Sequence, residues 1–192
     1  MTKWIWIGGG VILFAGFLAW LFWASTRPLP GEKQIDLGRG HVPIGEVVEY
    51  NTNPPTSGKH YEEWTRAGVY SEPKDDRNLV HSLEHGYIVM SYGCGLGGLD
   101  GKEATDGGEI ASSPAAPRND DSGNCDHRKS QLEEVYNKKG KRKLIVVPRE
   151  NLDTNFAITA WQYLDKFDIF DSQEKEKFID AHRDNGPEKT ME

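Results

Sequence analysis

The chain has 192 residues, with 23 basic and 30 acidic side chains and a formal net charge of −7. That length suits one domain of ordinary size plus an appendage. No basic stripe with interleaved aromatics occurs, which argues against a nucleic-acid partner, and the acidic balance argues against a domain lying flat on anionic lipid.

The appendage comes first. Trp4 to Ala24, "WIWIGGGVILFAGFLAWLFWA", runs 21 residues without a charge, long enough to cross a bilayer as a helix. Trp4, Trp6, Trp20 and Trp23 gather toward its two ends, where indole rings favour the headgroup level. A cleaved signal peptide is the rival reading. The apolar core exceeds the usual length of such a peptide, and "FWASTRP" places bulky residues around any cut. Residues 1–27 are therefore expected to be an uncleaved single-pass anchor, with the remainder outside the cytoplasm. Charge alone sets that orientation weakly, since Lys3 and Arg27 flank the span almost evenly.

Residues 28–40 read as a linker, with prolines at its start discouraging helix. Residues 41–188 read as the exported domain and 189–192 as a tail. "NTNPPTSG" is nearly all turn-forming, "KHYEEWTRAGVY" is ambiguous between a helical turn and a loop, and "SEPKDDRN" reads as a polar loop. "GYIVMSYG" is a short apolar run rich in β-formers, hence a buried strand. Residues 93–130 carry eight glycines and little apolar content. They are expected to form a flexible insertion, stapled by a Cys94–Cys125 disulfide if the domain meets an oxidising compartment.

"SQLEEVYNKKGKRK" is a short helix candidate ending at Gly140, and "KLIVVP" a second buried strand. "FAITAWQYLDKFDIF" alternates partly at period two, favouring strand. The final "DSQEKEKFIDAHRDNGPE" has a capping-box-like start at Asp171 and Glu174 and a stop at Asn185-Gly186. Strands and helices mix without a βαβ rhythm. The expected class is α+β: a small mixed or antiparallel sheet with a C-terminal helix, preceded by one transmembrane helix.

The chemistry-bearing stretch is "LVHSLEHGYIVMSYGC". His81, Glu84 and His85 match H-x-x-E-H, the inverted zinc-protease motif. Gly86 and a β-like run follow at once, however, so any helix must end there, and a strand entrance is the preferred reading. A plainer metal site adds His60 to His81 and His85, three imidazoles with an open position suited to zinc or copper, with Glu84 as ligand or helper. The structural alternative has the histidines bonding backbone carbonyls and Glu84 pairing with Lys59 or Arg66. His41, His127 and His182 show no partner pattern and read as solvated. Met90 reads as core. Cys94, Cys125 and His127 together form a weaker metal candidate than the disulfide. "NDDSGNCD" fails the spacing of a calcium loop, and no Gly-rich phosphate loop follows a strand.

Taken in order, "YNTNPPTSGKHYEEW", "LVHSLEHGYIVMSY", "LIVVP" and "AITAWQYL…FIDAHRDNGPE" resemble the bacterial domain-of-unknown-function family 3105, whose members commonly carry one N-terminal membrane anchor. The family's Pro-Pro-Thr-Ser-Gly-x-His-Tyr and His-Ser-Leu-Glu-His-Gly elements fall on Pro54 to Tyr61 and His81 to Gly86, and an Ala-Trp pair on Ala160 and Trp161. The resemblance implies that the two histidine elements belong together; it assigns no catalytic residue. Three functions stay open: a zinc- or copper-binding or small-ligand domain, an envelope protein-interaction module with structural histidines, and a zinc-dependent hydrolase.

Overall fold

The computed structural model describes residues 13–23, 28–94 and 121–190. Residues 13–23 form a helix, α1, with Leu13 and Phe22 among its exposed apolar side chains. The rest of the expected span, residues 4–12 and 24, lies outside the described residues. Among those described, no helix is long and apolar enough to cross a membrane.

Beyond α1, six strands form one mixed sheet: β1 (Glu32–Lys33), β2 (Gly68–Val69), β3 (Ile88–Gly93), β4 (Leu144–Arg149), β5 (Phe156–Ala160) and β6 (Tyr163–Phe167). Their spatial order is β1-β6-β5-β3-β4-β2. The strands β3 and β2 flank β4 in parallel, whereas β5, β6 and β1 add in antiparallel fashion. Three further helices, α2 (Asp76–Glu84), α3 (Asp121–Lys138) and α4 (Ser172–His182), complete a mixed α+β fold.

One βαβ unit is present where the sequence suggests none. Parallel β3 and β4 need a crossover, and α3 supplies it, packing Leu132 and Val135 into the core. Residues 121–130, expected to belong to the loose insertion, are thus helical. Their composition hides this, because "DSGNCDHRKS" is polar and low in helix propensity. The Cys94–Cys125 disulfide ties the end of β3 to this part of α3, with Cα atoms 5.3 Å apart. Residues 95–120 of the expected insertion lie outside the described residues.

Period-two alternation on the central strands feeds two cores. Ile88, Met90, Tyr92, Leu144 and Val146 face one way and meet α3 and the Phe178–Ile179 pair of α4. Tyr87, Val89, Ile145 and Val147 face the other way and meet Leu79, Val80 and Leu83 of α2, with Trp161 alongside. A sheet covered on both faces explains why β3 and β5 are buried throughout.

After β5 the chain turns at Trp161–Gln162, where Gln162 takes φ 63°, so that "FAITAWQYLDKF" becomes a β5–β6 hairpin. At α4 the Asp171 carboxylate accepts from the amides of Gln173 and Glu174, as the cap pattern implies. That helix stops at His182, earlier than the expected Asn185-Gly186 signal. His182 is not solvated. Its ring packs on Tyr163 and Phe178, and Nε2–H donates to the Pro30 carbonyl at 2.8 Å. That bond, with β1 pairing on β6, fastens part of the expected linker to the domain.

The disulfide closes a span of 31 residues, and chain-entropy arguments give such a loop roughly 3–4 kcal/mol of stabilisation. A Cys94→Ser/Cys125→Ser variant should unfold in urea at a free energy lower by about that amount. Far-UV circular dichroism before denaturation should be nearly unchanged, since α3 still has its core contacts.

Candidate metal centre

The polar loop expected over "SEPKDDRN" ends as the start of α2. Asp75 caps it, its carboxylate accepting from the Arg77 amide. The "LVHSLEH" segment is the C-terminal part of that helix rather than a strand entrance. At its end Gly86 adopts φ +78°. The Gly86 amide donates to the Leu83 carbonyl at 2.9 Å and the Tyr87 amide to Ser82 at 3.0 Å, a Schellman arrangement that needs a left-handed residue at this point. Strand β3 follows directly. His81, Glu84 and His85 therefore stand on the last turn of a helix, all buried.

A C-terminal strap locks that turn from outside. The Asp184 amide donates to the Gly86 carbonyl at 2.9 Å and the Glu188 amide to the Glu84 carbonyl at 3.0 Å. The buried Lys143 ammonium donates to the carbonyls of His85 and Thr190, both at 2.9 Å. Gly186 passes so close that a Cβ there would run into the Glu84 carbonyl oxygen and the Gly86 amide nitrogen.

His60 arrives on a different segment. The "PPTSG" turn is buried, and residues 58–60 pair with 38–42: Gly58 N–H to Gly38 O at 2.9 Å, His60 N–H to Gly40 O at 3.0 Å and Val42 N–H to His60 O at 2.8 Å. This short parallel bridge sets His41 beside His60. The His41 ring centroid lies 5.2 Å from that of His60 and 5.0 Å from that of His81, and the His60 and His81 rings are 4.8 Å apart.

One ligand atom from each of His41, His60, His81 and Glu84 falls within 4.8 Å of every other, so this group could hold a metal ion. The structure thus gathers His60, His81 and Glu84 and adds His41, a histidine the sequence marks as solvated. Its ring is exposed, but its place in the cluster comes from the bridge to His60, which no local pattern announces. His85 stands behind His81, Nε2 to Nε2 at 3.1 Å, with the Glu188 carboxylate 3.7 Å further out. Glu84 pairs with neither Lys59 nor Arg66. Its Oε2 lies 2.9 Å from His60 Nε2, and its Oε1 lies 3.7 Å from the exposed Arg39 guanidinium.

The tautomers follow from the backbone. His60 Nδ1 is 2.9 Å from the Gly58 carbonyl and His81 Nδ1 is 2.7 Å from the Tyr61 carbonyl. A carbonyl only accepts, so each Nδ1 carries a proton and each ring turns its Nε2 inward. Burial, reinforced by His85, His60 and His41, pulls the His81 pKa down to about 4 against the pull of the Tyr61 carbonyl, leaving that ring neutral at neutral pH. The Trp64 indole covers His81 and His85 from the side, and the Arg66 guanidinium lies over it at 4.4 Å. Among the described residues Cys94 and Cys125 pair with each other, and Met90 is core.

Fold and site together define a mixed α+β domain with a largely buried histidine–carboxylate cluster. The chain belongs to the family described as "Protein of unknown function (DUF3105)", whose model matches residues 41–103 and 121–192. No curated protein and no solved structure matches it.

Two consequences can be measured. Gly186→Ala forces the strap off the end of α2 and should lower the unfolding free energy in urea by about 1–3 kcal/mol, in the range of an overpacked core. For His81, the unfolded chain takes a proton near pH 6.5 and the folded ring only near 4. Between those values the unfolded state binds more protons, so stability falls as pH drops through that window. His182, also held down by burial, acts in the same direction. Denaturation of metal-free protein across pH 4 to 7 should show this slope, and His81→Gln should flatten it.

Proposed function

We propose that this domain binds one transition-metal ion, Zn²⁺ or a copper ion, through His41, His60, His81 and Glu84, as the outward-facing part of a single-pass membrane protein. One observation carries the reading. The buried Nε2 of His60 makes no hydrogen bond, although a carboxylate oxygen lies 2.9 Å away. With Nδ1 already donating to a carbonyl, an unprotonated Nε2 held against a carboxylate in a buried site repels it, and a cation between them removes that repulsion. His81 Nδ1 is held the same way by the Tyr61 carbonyl, and its Nε2, now 3.1 Å from His85 Nε2, would exchange that contact for the ion. Two such imidazoles, a carboxylate and a third imidazole form a donor set that zinc and Cu²⁺ favour.

The dimensions suit an ion after a small contraction. Ligand atoms about 2.0–2.2 Å from a tetrahedral zinc lie roughly 3.3–3.6 Å apart, against a present spread of up to 4.8 Å. The Gly58 and Tyr61 carbonyls are the outer partners that orient such ligands. Glu84 faces His60, which suits a ligand rather than a free general base, so binding is favoured over hydrolysis. An interaction module with structural histidines is the weaker reading, because it leaves the buried His60 Nε2 without a hydrogen bond.

The location rests on separate support: the charge-free stretch from Trp4 to Ala24, whose length suits a bilayer, and the Cys94–Cys125 disulfide, which suits an oxidising compartment. A protein partner in the envelope is part of the same proposal.

Elemental mass spectrometry on the full chain, purified without a histidine tag and incubated with Zn²⁺ or Cu²⁺, should find about one equivalent of metal. His60→Ala/His81→Ala should hold none. Equal metal content in both proteins, or none in either, removes the reading.

A further inference from the structure

The four candidate ligands are not equivalent, and the difference has a functional meaning. His60, His81 and Glu84 are 0%, 4% and 4% exposed. The two imidazoles among them are locked in rotation by their Nδ1–carbonyl bonds. Glu84 sits in a helical turn that the strap fixes through its own carbonyl. His41 differs on each count. The residue is exposed, and among the described residues no hydrogen bond orients its ring, which only rests against the His60 and His81 rings. Hydrogen bonding holds its backbone segment alone, at the bridge to His60.

We infer that the centre is an exchange site: three buried ligands hold the ion, and His41 is the ligand that comes off to admit or release it. This rests on the metal-binding reading above and gives it a class of activity, the handing of a metal ion to an acceptor with nitrogen or sulfur donors. A closed structural site buries all of its ligands, and a catalytic one keeps a position for water. Here the fourth position is filled by a side chain that can leave by rotation about its own χ angles, at little cost because water takes its place around the ring.

The surroundings suit that traffic. Val42, which follows His41 in the chain, lines a cavity of about 570 Å³ with Ile44, Tyr61, Glu62 and Glu63. The two exposed carboxylates on its wall raise the local concentration of cations. The neighbouring Gly38 and Gly40 have nothing within 4 Å of where a Cβ would stand, so the segment carrying His41 is not packed against other side chains there. An acceptor can therefore approach the ion from the His41 side, and the buried imidazoles need not move. Release then proceeds by attack of the incoming ligand, with a rate that rises with acceptor concentration.

The test loads the full chain with one equivalent of Zn²⁺ and follows its transfer to excess 4-(2-pyridylazo)resorcinol by absorbance. Wild-type transfer should accelerate with chelator concentration. His41→Ala should still retain its zinc through gel filtration but release it about tenfold faster or more, the order of effect seen when a metal site loses a supporting group. His81→Ala should retain none. His41 is exposed, so the variant keeps its fold, which its urea midpoint checks, and His41→Gln gives a second reading. The inference is overturned if His41→Ala releases zinc at the wild-type rate, or if it fails to retain zinc as His81→Ala does. Wild-type protein that binds no zinc or copper at all removes the metal reading itself, a separate and recognisable outcome.

Discussion

At Gly86 the chain passes from helix α2 into strand β3 through one left-handed residue, and most of the molecule is arranged around that passage. On one side of it lies the turn bearing His81, Glu84 and His85; on the other lies the strand that stands between β4 and β5. The strap from α4 runs over the same point, pairing Asp184 with Gly86 and Glu188 with Glu84. Lys143, entering β4, reaches back to the His85 carbonyl. The site is therefore fixed by the centre of the sheet and by the C-terminal segment at once. A side chain at Gly86 would meet both an unfavourable φ and the backbone of Asp184.

The second constraint is electrostatic. Burying a carboxylate is costly unless something positive or hydrogen-bonding meets it. Among the described residues, the partners near Glu84 are an unaligned imidazole and a guanidinium that is mostly in solvent. The His60 and His81 rings point their Nδ1–H groups at backbone carbonyls, so each turns only its Nε2 toward the centre. A cation at the centre resolves both deficits together. Burying such a cluster costs stability that the distant Arg39 guanidinium offsets only in part, and this links the fold to the proposed binding.

The candidate site was partly legible in the sequence. His81 and Glu84 stand three apart and share a helix face, and His60 follows a turn-rich element that the family resemblance couples to them. The helix itself carried readable signals, an Asp at its N-cap and a Gly just past its end, but the apolar run after Gly86 drew the whole segment toward strand. Helix α3 was less legible. Its first turns are polar and Gly-containing, and it holds its place through Leu132, Val135 and the Cys125 crosslink rather than through propensity. His182 could not be placed either, since the Pro30 carbonyl and the rings that bury it are distant in sequence.

By itself the sequence determined β3 and β4, because short apolar runs rich in β-branched residues have few other ways to be buried, while the two-residue β1 and β2 left no such run. It determined the cap of α4, because Asp171 and the amides it satisfies are adjacent. It also determined which residue types could bind a metal. Tertiary structure decided the rest: that β3 and β4 run parallel through α3, that β5 and β6 fold into a hairpin, and that His41 joins the cluster. The reason is the same in each case. Strand direction and ligand convergence depend on pairings between segments far apart in the chain, and local periodicity carries no information about which distant backbone a residue will meet.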